Sequence, residues 1–343
     1  MLTFEDEKIY SLHALRAFQQ KLPHQIDRSL HADSVEQTYH ILSQHHRMMH
    51  RQAFLLAQKQ LQREGLDPPC AAFCFIMLGS GARSEQALRV DQDHALIFAP
   101  CRKEEEQSLQ TYFFQLSELV SAYLHEIGYT LCTGNVMASN PRWRGTVEDW
   151  SLRLTRYQQE PTWEHIRFLL IAADAVPILG EEALVFMMRQ QVVDYFARSS
   201  FVRWKIADQG RADKIPLPLW RKGVFSLKEA LYSPLVNSIR LWAHSIDVAE
   251  PSTLRRIERL HESHCWNGEL AHEAQQVVRK ILNWRVRLHV DQLLRGVKAT
   301  DLLQLEELTA GEWEQIKTAV RFVRKLQSLT AKRFHERGNT DGI

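Results

Sequence analysis

The chain has 343 residues, 45% of them hydrophobic and 24% charged, with 43 Lys and Arg against 41 Asp and Glu. That apolar share can fill packed cores and excludes a mainly disordered chain, while a formal net charge of +2 excludes a histone-like or polybasic role. No apolar run approaches the about 18 residues of a membrane span. The acidic start MLTFEDEKIY lacks a signal-peptide core, and five cysteines are an odd, sparse set for a secreted disulfide framework. These features predict a soluble cytoplasmic protein with two or three domains of about 100–200 residues each.

In chain order, residues 1–68 read as an N-terminal helical segment. Ser34 and Gln37 form a capping-box pattern, and apolar residues recur through Val35, Tyr39, Leu42, Met49 and Leu56 up to Gly65. His45, His46 and His50 are read as packed or solvated helix histidines in preference to metal ligands. Ala71 to Leu78 is an apolar run with aromatics that ends in Gly79-Ser80-Gly81, the pattern of a buried strand entering a tight turn. A short helix is expected over Gly81–Leu88, a second strand over Val90–Phe98, a charged loop over Cys101–Glu106 and a helix over Gln110–Ile127. A third strand is expected over Tyr129–Ala138. Residues 69–145 thus form a small α/β core. Residues 146–335 read as helical, with the best apolar stripe over Gln276–Leu294, and residues 336–343 read as a polar flexible tail. The fold class expected is α+β and predominantly helical, a small mixed-sheet core followed by a C-terminal helical bundle.

The chemistry concentrates in LGSGARSEQALRVDQDHALIF, residues 78–98. Gly79 and Gly81 permit close backbone approach to a ligand. Ser80 adds a hydroxyl and Arg83 a guanidinium matched to phosphate, at a turn whose first N–H groups suit an anion. Asp91 and Asp93 follow at the start of a strand, where alternation puts both carboxylates on one face and Gln92 on the other. Two carboxylates beside a phosphate-accepting turn are suited to a divalent cation and a nucleoside triphosphate. Neither a P-loop nor a GxGxxG fingerprint is present.

Gly79-Ser80 followed by Asp91-Gln92-Asp93 resembles the polymerase-beta-like nucleotidyltransferase superfamily. The whole segment is similar to a bacterial nucleotidyltransferase-like family related to the catalytic domain of PII-protein uridylyltransferases, whose pattern is Gly-Ser-x-Gly-Arg-x-Glu-Gln and then Thr-Asp-Gln-Asp. Cys132 to Arg144 (CTGNVMASNPRWR) is similar to that family's next signature. Weaker similarity runs on through Asp213–Leu231 and Ser252–Arg256, into the family's substrate-binding domain.

The resemblance implies that Asp91 and Asp93 hold catalytic Mg²⁺ or Mn²⁺ and that Gly79, Ser80 and Arg83 contact nucleotide phosphates. Glu85 and Gln86 match the motif as turn-bracing or ligand-touching residues. The implied reaction is metal-dependent transfer of a nucleoside monophosphate from a nucleoside triphosphate to an acceptor hydroxyl, with a protein side chain as the acceptor suggested by the uridylyltransferase relationship and a role in signalling. Ala82 and Val90 depart from the pattern. The superfamily's third carboxylate has no counterpart in Tyr129–Ala138, and the weak candidate is Asp174, in a stretch where Val176 replaces the family's Arg. The alternative reading is a nucleotide-sensing or scaffold protein without catalysis. His261, His264 and Cys265 lack a second cluster at zinc-finger spacing. Trp143, Trp150 and Trp163 with neighbouring arginines favour packing over base stacking, so nucleic acid is a disfavoured partner.

Overall fold

Helix starts are set by side chains that satisfy the first orphan N–H groups. Ser34 accepts from Gln37 N at 3.2 Å while the Gln37 side chain accepts from Ser34 N at 2.9 Å, so the expected capping box is formed. The computed structural model describes residues 10–100, 102, 105–212, 215 and 221–337, with 336 and 337 by backbone alone. Cys101, Asp213, Pro216, Pro218 and the expected tail beyond Arg337 lie outside the described residues. The elements are α1 (Leu12–Ala32), α2 (Val35–Arg63), β1 (Phe73–Met77), α3 (Gly79–Ala82), β2 (His94–Phe98), α4 (Glu106–Ile127), β3 (Arg144–Thr146), α5 (Val147–Gln159), α6 (Trp163–Ala172), β4 (Val176–Gly180) and α7 (Glu182–Arg198). There follow α8 (Ser200–Ala212), β5 (Val224–Ser226), α9 (Ser233–His244), α10 (Thr253–Glu262), α11 (Gly268–Leu294), β6 (Leu302–Gln304) and α12 (Ala310–Arg337). The fold is α+β and predominantly helical, with a small mixed sheet and C-terminal helices.

Two units divide the chain: Met1–Glu160 with Phe168–Arg189, and Pro161–Arg167 with Gln190–Ile343. In the first, four strands lie in the order β3-β2-β1-β4, with β1 antiparallel to β2 and β4 and β2 parallel to β3. Phe75 pairs with Leu96 and Phe73 with Phe98, so these side chains share the face covered by α2 and α4, together with Met49, Phe54, Phe113 and Leu116. Phe98 and Phe113 stack with centroids 4.3 Å apart. The N-terminal helices thus complete the core of the sheet unit, because a sheet face of continuous apolar residues must be buried against another layer.

Several expected elements are shorter or displaced. The helix expected at Gly81–Leu88 is one turn over Gly79–Ala82, because Ser84 adopts φ +59° and ends it. The strand expected from Val90 begins at His94. Tyr129–Ala138 is not a strand: Thr130 makes one parallel bridge to Asp91, and the chain then turns. The sheet is instead completed by the three residues of β3 and by β4, an edge strand where Pro177 removes no ladder hydrogen bond that the sheet needs. Gly180, at φ +105°, lies against the carbonyl of Phe73, an approach that leaves no room for a Cβ.

In the second unit, helices α8 and α12 pack together, α9 packs on α10, and β5 and β6 form a two-stranded sheet. The expected stripe on α11 is buried at Val278, Ile281, Leu282, Val286 and Val290. Asp301 accepts from Arg285 Nε at 2.7 Å and lies 3.3 Å from His289 Nε2. Burial alone would raise its carboxyl pKa, but the His289 hydrogen bond and the Arg285 charge hold it well below the ordinary range.

Candidate functional site

The site is built where β1 ends and β2 begins. Leu78 N donates to Asp93 O at 2.9 Å, extending the β1–β2 ladder by one step to the start of α3. Gly79 sits at φ +58°, and a Cβ placed there would run into the Asp93 carboxylate. Glycine is needed both for the left-handed backbone and for this close approach. The first helical bond of α3 is Ala82 N to Leu78 O at 3.2 Å, so the N–H groups of Gly79, Ser80 and Gly81 come before it.

Residues 91–94 alternate as a strand should. Asp91 and Asp93 are partly exposed, whereas Gln92 and His94 are fully buried at 0%. Gln92 Nε2 donates to Ser121 O at 3.0 Å and Tyr129 O at 3.1 Å, while Gln92 N donates to Thr130 O at 3.0 Å. Ala138 N donates to His94 Nδ1 at 3.2 Å, which leaves the ring proton on Nε2, 3.2 Å from the Gln92 Oε1 that accepts it. Beside it, His46 Nε2 lies 3.2 Å from Ala87 O and its Nδ1 2.7 Å from the Tyr129 hydroxyl. His50 Nδ1 lies 2.8 Å from His46 O. Burial lowers the pKa of His45 and His50 to about 4 and takes His46 and His94 well below 6.5, with neighbouring histidines adding to the effect at the latter two. The α2 histidines are therefore neutral packing groups behind the strand, and the two carboxylates are presented on its opposite face.

Arg83 turns the other way. It is buried, 7% exposed, with Nε 3.0 Å from Glu85 Oε2 and Nη1 2.6 Å from Asp174 Oδ2. Asp174 is wholly buried just ahead of β4. The ion triad joins the turn after β1 to the strand beside it, and it uses the acid that was the candidate third carboxylate. Gln86 Nε2 donates to Asp91 O at 3.0 Å, so Glu85 and Gln86 both brace the loop. No acid stands on β3; Asp149, three residues beyond it, accepts from Thr146 N at 2.9 Å as a helix cap. Among the described residues there is no group of three His, Cys, Asp or Glu arranged to hold a metal ion.

Cys132, which no sequence spacing marked, hydrogen-bonds to Asp93, and burial together with that carboxylate pushes its thiol up to about 12. Trp143 and Trp150 are core residues, the latter donating to Leu96 O at 3.1 Å. His261 Nδ1 lies 3.3 Å from Trp266 O, an ordinary helix-end contact. In the second unit a groove of about 300 Å³ between α8 and α12 is lined by Trp204, Arg211, Lys332 and His335 among others. No described helix is long and apolar enough to cross a membrane.

Residues 20–164 match the family described as "Putative nucleotidyltransferase DUF294". Residues 213–334 match the one described as "Putative nucleotidyltransferase substrate binding domain". No curated protein matches the chain. The chain belongs to this nucleotidyltransferase family, with the family's substrate-binding domain following the sheet unit.

Proposed function

We propose that the protein transfers a nucleoside monophosphate from a nucleoside triphosphate to an acceptor hydroxyl, with a protein as the acceptor. The observation that carries this reading is the pair Asp91 and Asp93, both partly exposed in the segment that leads into β2, with the Asp93 carboxylate against the Gly79 backbone. Two partly exposed carboxylates form a hard-oxygen donor set that fits Mg²⁺ or Mn²⁺, which take a few carboxylates together with substrate phosphates. Asp91 and Asp93 would hold such a cation, whose chemistry is to offset charge on the reacting phosphate oxygens. The Ser80 hydroxyl and the N–H groups that open α3 would hold phosphate oxygens. The acceptor hydroxyl oxygen forms a bond to the α-phosphorus and gives its proton to water, the bond from that phosphorus to the oxygen bridging to the β-phosphate breaks, and pyrophosphate leaves.

Arg83 serves here as a positioning residue. Paired with Glu85 and Asp174, it fixes the turn that carries Gly79 and Ser80, and it does not extend toward solvent. A second reading, a nucleotide sensor without catalysis, is favoured by one observation: Asp174 is committed to Arg83, and β3 supplies no acid to deprotonate an acceptor. Incubation with each nucleoside triphosphate labelled at the α-phosphate, Mg²⁺ and a cell extract separates the two. Label on an acceptor that disappears in Asp91→Asn and Asp93→Asn supports transfer. Metal-dependent nucleotide binding with no labelled product supports the sensor.

A further inference from the structure

The arginines around α5 take no part in the reading above. Between the turn Pro141–Trp143 and α5 lies a pocket of about 430 Å³ lined by Pro141, Arg142, Leu152, Arg153, Arg156 and Tyr157. That volume falls among small-ligand sites, which span about 300–1,000 Å³. All three cations are arginines, whose planar fork meets phosphate oxygens in pairs.

Two of the three are held in place. Arg142 Cζ lies 4.0 Å from the centre of the Phe168 ring. Arg153, 5.1 Å from the Trp150 ring, donates to Arg142 O at 2.8 Å and Arg144 O at 3.3 Å. Those bonds occupy two of its five N–H groups. Burial lowers the Arg153 pKa, Tyr157 and Asp149 oppose it, and the Arg142 charge adds a smaller lowering. The nearby acids are otherwise engaged: Asp149 caps α5, Glu118 faces Arg144, and Glu160 meets Arg156 at 3.7 Å with both side chains largely exposed.

We propose that this pocket is a second anion site, which takes the polyphosphate group of a small molecule such as pyrophosphate or a nucleoside di- or triphosphate. It shares no lining residue with the Gly79-Ser80 turn, and β3, which begins just after Arg142 and Trp143, pairs with β2 from Leu96 on, three residues beyond Asp93. An acidic protein segment is the competing occupant; the compact volume and the fixed guanidinium planes favour the phosphate.

The test is calorimetric titration of the full chain with sodium pyrophosphate, tripolyphosphate and ATP in EDTA, so that no divalent cation reaches Asp91 and Asp93. Binding is expected, weakened at least about tenfold in the double variant Arg142→Gln/Arg156→Gln and retained in Asp91→Asn/Asp93→Asn. Because Arg142 stacks in the fold, the exposed Arg156→Gln alone serves as the second variant, expected to weaken binding about threefold with unchanged melting. Equal affinity for pyrophosphate and ATP assigns the site to free polyphosphate, and tighter ATP binding assigns it to nucleotide. The proposal is overturned by absence of binding to all three probes, by equal affinity in the arginine variants, by loss of binding in the aspartate variants, or by a hepta-glutamate peptide binding where the phosphates do not. No turnover is involved, so failure of nucleotidyl transfer leaves this result standing.

Discussion

Asp91 and Asp93 stand partly exposed at the start of β2, whereas Asp174, ahead of β4 in the same sheet, is wholly buried against Arg83. All three are aspartates near one turn, yet burial gives them opposite surroundings. A carboxylate that keeps water remains ionised at little cost and is free to exchange water for a cation. One taken out of water must be paired, and its partner is then equally committed. The sheet unit therefore carries an open acidic pair, which the proposed function gives to a cation, and a closed ion triad that joins the turn to the strand beside it.

The largest effect that would break this comparison is Asp174→Ala. It removes a buried charge partner of Arg83 and should cost about 3–5 kcal/mol in denaturant unfolding; a loss under about 1 kcal/mol would mean that Arg83 escapes to solvent. The inward side of the strand comes next. His45, His46, His50 and His94 titrate below their unfolded value of about 6.5, so the unfolded chain binds more protons than the native one. Stability is fully present above about pH 6.5 and is lost as pH falls toward 4, with roughly three to four protons taken up by these rings on unfolding at pH 5.5. A melting temperature that stays flat from pH 7.5 to 5 would contradict neutral burial.

Gly79→Ala is a smaller insult at the boundary between the two. A side chain at φ +58° pressed on Asp93 should cost about 1–3 kcal/mol and weaken Mn²⁺-dependent nucleotide binding. Asp91→Asn and Asp93→Asn should move stability least, within about 0.5 kcal/mol, while abolishing transfer. Chemical denaturation measured beside activity shows whether the two kinds of aspartate separate in this way.

Much of the local geometry of the candidate site could be read from residue order. The Gly-Ser turn after an apolar run and the period-two alternation of Asp91, Gln92 and Asp93 are local patterns, and local patterns survive folding. The length of α3 was not readable, because Ser84 ends it in a left-handed conformation that β-turn-prone residues other than serine mark more strongly. Strand β3 is three residues long, too short to show a period, and Pro177 disguised β4. The direction taken by Arg83 depends on Asp174, 91 positions away, and the contact of Cys132 with Asp93 likewise joins distant segments. Motif matching places a guanidinium beside a phosphate turn without saying which way it points.

The most direct measurement compares two labels on one nucleotide. With the triphosphate carrying label at either the α- or the γ-phosphate, and with wild-type protein, Mg²⁺ and extract, the account predicts acceptor labelling from the α-position alone, absent in Asp93→Asn. Labelling from the γ-position, or α-labelling undiminished in Asp93→Asn, would contradict it.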